Sequence, residues 1–114
     1  MTSDVTTARL FLLQRASAAV LALAVLVHLA TIIVAVRGGL TAGEILGRTS
    51  GNAAWLAFYT LFVIAAAIHA PIGLRTILRE WTGWHGRSCD IAMSLFAAAL
   101  LVLGLCAAWA VYAA

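Results

Sequence analysis

Three long apolar runs, 16–36, 53–74 and 91–113, leave this chain few folds to choose from. Each is about the length that a helix needs to cross a hydrocarbon core of roughly 30 Å. The chain is 65% hydrophobic and 10% charged, whereas ordinary soluble domains are about 25% charged. The expected fold is therefore an all-α membrane protein, one domain over 1–114. Its three transmembrane helices, about 10–36, 53–79 and 89–113, form an up-down-up bundle. The second run continues past Arg75 as an amphipathic extension at headgroup level. A cleavable signal peptide has a shorter apolar core, of about 7–15 residues. The first run is longer and carries His28 near its middle, so it reads as a retained span.

Charge sets the expected orientation. All seven basic residues are arginine. Arg9 and Arg15 precede the first run, and Arg75, Arg79 and Arg87 lie between the second and third; Arg37 and Arg48 alone lie on the other side. The positive-inside rule then places the N-terminus in the cytoplasm. The net charge of +3 belongs to these flanks, so it marks topology and lipid headgroups and not a nucleic-acid partner. In the outer loop, Thr41 and Glu44 form a T-x-x-E capping box that predicts a short interfacial helix over about 42–46. Asn52 is placed to cap the second span and Asp90 the third.

Two histidines lie inside the apolar runs: His28 in AVLVHLATIIV and His69 in AAAIHAPIGLR. Ionisable residues at membrane depth mark a functional path or a ligand site, and imidazole is a common ligand of haem iron. At about 1.5 Å per residue, His28 lies roughly 18 Å and His69 roughly 7 Å from the inner boundary. Axial ligands of one haem standing along the membrane normal must share a depth, so each histidine calls for a partner on another chain. Small residues flank both at helical spacing: Ala65, Ala66 and Gly73, with Phe62, near His69, and Ala24, Thr31 and Ala35, with Leu21, near His28. They leave room for a flat macrocycle and equally suit close helix packing. Pro71 frees the carbonyl of Ala67 and predicts a bend beside His69. His85, in TGWHGR, reads as a solvated loop residue. Cys89 and Cys106 are too far apart for a CxxC and no CxxCH exists, so both read as inert thiols.

The run His69-Ala-Pro-Ile-Gly73-Leu74-Arg75 resembles the H-x-x-x-G-[IL]-R signature of cytochrome b membrane-anchor subunits of succinate dehydrogenase and fumarate reductase. Gln14-Arg15-Ala16-Ser17 is similar to the H-R-x-S-G stretch that begins the first span of those subunits. Gln14 and Ala18 depart from that stretch, and Phe11 stands where some members have a serine that touches quinone. The resemblance implies haem b as cofactor, with His69 as an axial iron ligand. It places Arg15 near the quinone and a haem propionate, with Ser17 and Arg75 in the same cofactor-binding set. His28 resembles the extra histidine of two-haem members, which draw one ligand from each of their first two spans. One or two haems per assembled anchor are therefore expected, the second held by His28. The implied partners are a flavoprotein and an iron–sulfur subunit on the cytoplasmic face, with a second anchor chain or a second copy of this one. The implied function is to pass electrons between the iron–sulfur subunit and quinone, in the bacterial cytoplasmic (inner) membrane. The alternatives are a haem-free anchor or assembly protein and a small proton-coupled transporter subunit.

Overall fold

A polar turn starts the first helix well before its apolar run. In the computed structural model, which describes residues 3–114, the Ser3 side chain accepts a hydrogen bond from the Thr6 backbone at 3.2 Å. Asp4 adds a negative charge in the first turn, where the helix dipole favours it. Helix α1 thus spans Asp4–Gly38, beginning six residues ahead of the expected start. The short interfacial helix, α2, spans Ala42–Thr49 and is capped by Thr41, whose hydroxyl accepts from the Glu44 backbone. It runs three residues beyond the expected end, and the Thr49 hydroxyl bonds back to the Ile45 carbonyl in its last turn.

Helix α3, Ala53–Thr82, opens on the expected cap: Asn52 Oδ1 accepts from Ala54 and Trp55 at 3.1 and 3.3 Å. It stays helical through Pro71 and stops where Gly83 adopts a left-handed conformation. Helix α4, Arg87–Ala113, starts differently from expectation. Gly86 occupies the N-cap position, and Asp90 lies one turn inside the helix, where its carboxylate pairs with Arg75 at 2.7 Å. The ion pair takes the side chain away from the capping role.

The three long helices are each apolar enough to cross a membrane, which makes this a three-span helical membrane bundle. Helix α3 is the centre: α1 and α4 both pack on it, and among the described residues neither approaches the other within 8 Å between Cα atoms. The α1–α3 seam follows a 3.5-residue repeat of small and medium side chains. On α1 it comprises Leu10, Gln14, Ser17, Leu21, Ala24, His28, Thr31 and Ala35, all buried or half-buried. That spacing keeps one stripe facing a partner helix at a shallow crossing angle. The facing residues on α3 are Tyr59, Phe62, Ala66, His69 and Gly73, also half-buried.

The α3–α4 seam is tighter. A Cβ built on Gly104 would lie 2.5 Å from Val63 Cγ1, so only glycine permits this approach. Without hydrophobic expulsion in lipid, close packing of this kind is what joins helices. At the end remote from the arginine-rich loop, α2 ties the bundle together. The Gly51 N–H donates to the Tyr112 carbonyl at 2.8 Å, and the Ser50 hydroxyl donates to the Ala114 carbonyl. Most of the apolar surface still faces outward: 11%, 11% and 6% of the most apolar stretch of α1, α3 and α4 is buried within the chain. Lipid or other chains must cover the rest.

Candidate functional site

Both intramembrane histidines fall on the α1–α3 seam, His28 from the α1 side and His69 from the α3 side. The antiparallel register separates them. His69 Nδ1 lies 3.5 Å from Ser17 Oγ, and His28 stacks edge-on against Tyr59 and Phe62. From Ser17 to His28 is eleven residues, roughly 16 Å of helix rise. Along α1 the two histidine levels are thus separated by somewhat more than the spacing expected from the sequence. Phe62, which spacing placed near His69, packs against His28 instead. The two positions are one heptad apart on the same stripe, and the register decides between them.

The inner half of the seam is polar and connected. The Ser17 side chain is buried, with 5% of the residue exposed, and its hydroxyl donates to the Gln14 carbonyl at 3.1 Å. A hydroxyl has one hydrogen. With that hydrogen on Gln14, the contact with His69 needs the histidine as donor, through Nδ1–H. The proton on Nδ1 leaves the lone pair on Nε2, the nitrogen that faces away from Ser17. At 3.5 Å the contact is at the outer limit of hydrogen bonding. One turn further on, Gly73 makes room for Gln14: a Cβ there would sit 3.2 Å from Gln14 Nε2. Gln14 Oε1 is buried and has no partner among the described residues. The glycine of the H-x-x-x-G pattern thus has a packing reason, because it lets a polar side chain of α1 lie one turn from the histidine.

The outer half is aromatic. The His28 ring lies 5.6 Å from Phe62 at 74° and 6.3 Å from Tyr59 at 85° between centroids and planes. Both are edge-to-face arrangements that rings favour. Phe58 and Trp55 extend the cluster toward the membrane surface. His28 Nδ1 is buried without a hydrogen-bond partner among the described residues.

The other residues singled out in the sequence do not join these two. Arg15 is exposed, and its guanidinium lies over the Phe11 ring at 5.5 Å, a cation–π contact on a different face of α1 from Ser17. Arg75, about two turns before the end of α3, is held by Asp90. Beside it opens a cleft of ≈ 730 Å³ with an apolar floor that includes Ile68, Pro71 and Ile72 and a polar rim that includes Thr6, Arg75 and Asp90. Neither His69 nor Arg15 lines it. Pro71 and Ala67, both buried, line it. His85 is exposed in the loop, with Nδ1 2.6 Å from the Gly83 carbonyl.

Gln14, Tyr59 and Asp90 carry parts of this arrangement that their own motifs do not announce. The 3.5-residue stripe on α1 is the signal that locates Gln14. The four-residue steps between the aromatic positions of α3 locate the cluster around His28. The pairing of Arg75 with Asp90, across the α3–α4 turn, has no local signature.

A family model described as the succinate dehydrogenase/fumarate reductase transmembrane subunit matches residues 1–105, nearly the whole chain. No curated protein and no solved structure matches it.

Proposed function

Because this chain belongs to the succinate dehydrogenase/fumarate reductase transmembrane-subunit family, we propose that it is the haem b-binding anchor of a quinone-linked complex. His69 would hold its iron. The observation that carries this reading is the Gln14–Ser17–His69 chain of contacts. Histidines that hold metals almost always donate their second ring N–H to an oxygen acceptor, which fixes the tautomer and turns the other nitrogen toward the metal. His69 has that acceptor in Ser17. Bound there, haem b supplies a one-electron couple. The seam residues orient the imidazole, and the apolar faces of α1 and α3 keep water from it.

The second haem expected from His28 has weaker support. A ligating Nε2 would leave the proton on Nδ1, which is buried against aromatic edges with no acceptor among the described residues. A buried ring nitrogen without a partner costs about 1–3 kcal/mol whether it carries the proton or the lone pair, so His28 lacks the oriented Nδ1–H that Ser17 gives His69. We therefore assign one haem per assembled anchor and give His28 a packing role in the seam.

Five arginines, Arg9, Arg15, Arg75, Arg79 and Arg87, belong to one end of the bundle by sequence, and the positive-inside rule makes that end cytoplasmic. A flavoprotein and an iron–sulfur subunit would dock there, in a bacterial inner membrane. The complex would carry electrons between the iron–sulfur subunit and quinone. Arg15 is free of the seam, so its fixed fork of donors faces a neighbouring chain, either a second anchor or a second copy. A quinone oxygen or a haem propionate at that interface fits it.

The test is spectroscopic. The purified complex is expected to give reduced-minus-oxidised b-type bands and one haem per assembled anchor. A complex without haem would leave only a haem-free anchor, and two haems per anchor would restore His28 as a ligand.

A further inference from the structure

Ser17 sits in the stretch whose family counterpart implies contact with quinone or propionate, yet its side chain faces neither an opening nor the cleft. It is 5% exposed, and its two polar contacts are the Gln14 carbonyl at 3.1 Å and His69 Nδ1 at 3.5 Å. We infer that Ser17 is a positioning residue for the axial imidazole: it accepts the His69 Nδ1 proton and thereby sets the electron-donating strength of Nε2. This rests on the proposal that His69 holds haem b.

The direction of the effect follows from the bonding. A hydrogen bond from Nδ1–H to an acceptor shifts electron density into the ring and makes Nε2 a more basic ligand. A more basic ligand stabilises ferric over ferrous iron and lowers the reduction potential. The strength of the acceptor is set by the neighbouring turn, because the Ser17 hydrogen is committed to the Gln14 carbonyl and its lone pairs are left toward His69. The Gln14 side chain plays no part in this link, since the acceptor is its backbone oxygen. The contact is long, so a weak hydrogen bond is at stake, of the order of the lower end of the usual net range.

Redox titration of the b-type bands in the intact, purified complex tests this. Ser17→Ala removes the hydroxyl that contacts His69 and takes nothing larger than one oxygen from the seam. It is expected to retain haem and to raise the midpoint potential. The expected shift is a roughly threefold change in the ratio of reduced to oxidised haem at a fixed potential, or ~28 mV at 59 mV per decade for one electron. Ser17→Thr keeps the hydroxyl and is expected to return the potential to the wild-type value. Gln14→Leu keeps the backbone carbonyl and is expected to leave the potential of the wild type in place. An unchanged potential in Ser17→Ala, or a Ser17→Thr variant that follows Ser17→Ala, overturns the inference while leaving His69 as ligand. Absence of haem from the wild-type complex overturns both readings together.

Discussion

The α1–α3 seam holds one histidine in each half, and the two halves solve the burial of an imidazole by different chemistry. Around His69 the partners are polar and local: a serine hydroxyl, a backbone carbonyl and a glutamine accommodated by a glycine. Around His28 they are rings, arranged edge to face, and one ring nitrogen is left without a hydrogen bond among the described residues. The first arrangement suits the Nδ1–H tautomer, which keeps the Nε2 lone pair free. The second fills space. Two residues that look alike in a hydropathy profile are thereby separated into a proposed ligand and a packing residue.

The sharpest way to break this comparison is to remove each ring in turn. His69→Ala is expected to abolish the b-type spectrum of the purified complex. The loss of haem affinity should exceed the roughly 10–100-fold that losing a well-formed supporting hydrogen bond causes, and far exceed that of Ser17→Ala, whose contact is long. His28→Leu, close in volume and free of an unsatisfied nitrogen, is expected to keep the haem-to-anchor ratio of the wild type. If His28→Leu halves the haem content, both halves of the seam bind haem and the contrast fails.

The next largest effect concerns the other seam. Val63 follows Phe62 in sequence, so the Val63–Gly104 contact lies at the depth of His28. A Cβ on Gly104 meets Val63 Cγ1 at 2.5 Å and Cβ at 3.2 Å, and a methyl there cannot be absorbed by a flexible side-chain end. Gly104→Ala should cost about 1–3 kcal/mol through overpacking, read as a lowered thermal midpoint in detergent. Val63→Ala should recover part of it in the double variant. Because α3 is disturbed at the outer level, the haem spectrum at His69 should be unchanged in whatever fraction stays folded. A shifted spectrum would mean that the two halves of the seam are mechanically coupled. Gly73→Ala is the inner counterpart and should be milder. Its Cβ meets only the Nε2 end of Gln14 at 3.2 Å, so a small rotamer change relieves it. The expected cost is under about 1 kcal/mol, with the haem spectrum unchanged, since the Gln14 side chain takes no part in the contact between Ser17 and His69.

The sequence made the spans, the three-helix architecture and the short outer helix legible, because apolar length and caps are local properties. Thr41 and Asn52 cap as their side chains dictate. His69 stood out through the signature it begins, and its separation from His28 along the helices followed from helix rise. What sequence did not resolve was lateral: which stripe of α1 meets which stripe of α3. Phe62 lies seven residues before His69 and shares its stripe, so spacing assigned it to the wrong histidine. Asp90 looked like a cap because it precedes an apolar run, but an arginine fifteen residues earlier is a stronger partner than an exposed amide. Arg15 and Ser17 are two residues apart and so face different ways on a helix. One motif therefore serves two surfaces.

The smallest effect bears on whether the polar end of the bundle supports the inner site or only borders it. Arg75 closes the signature that begins at His69, yet its guanidinium is committed to Asp90, with side chains 28% and 52% exposed. An ion pair this open to water contributes about 0.5 kcal/mol or less to stability. Arg75→Gln and Asp90→Asn should each lower the thermal midpoint slightly, and their double variant should lose little more than either one. Salt should erase the difference, since exposed charges are screened at physiological ionic strength. If Arg75 also holds a cofactor carboxylate, the two variants part ways. Arg75→Gln would then shift the haem potential and Asp90→Asn would not, because only the arginine carries the charge the cofactor meets. Equal, salt-sensitive effects with an unmoved potential would confine Arg75 to joining α3 and α4, leaving the tuning of the haem to the seam above it.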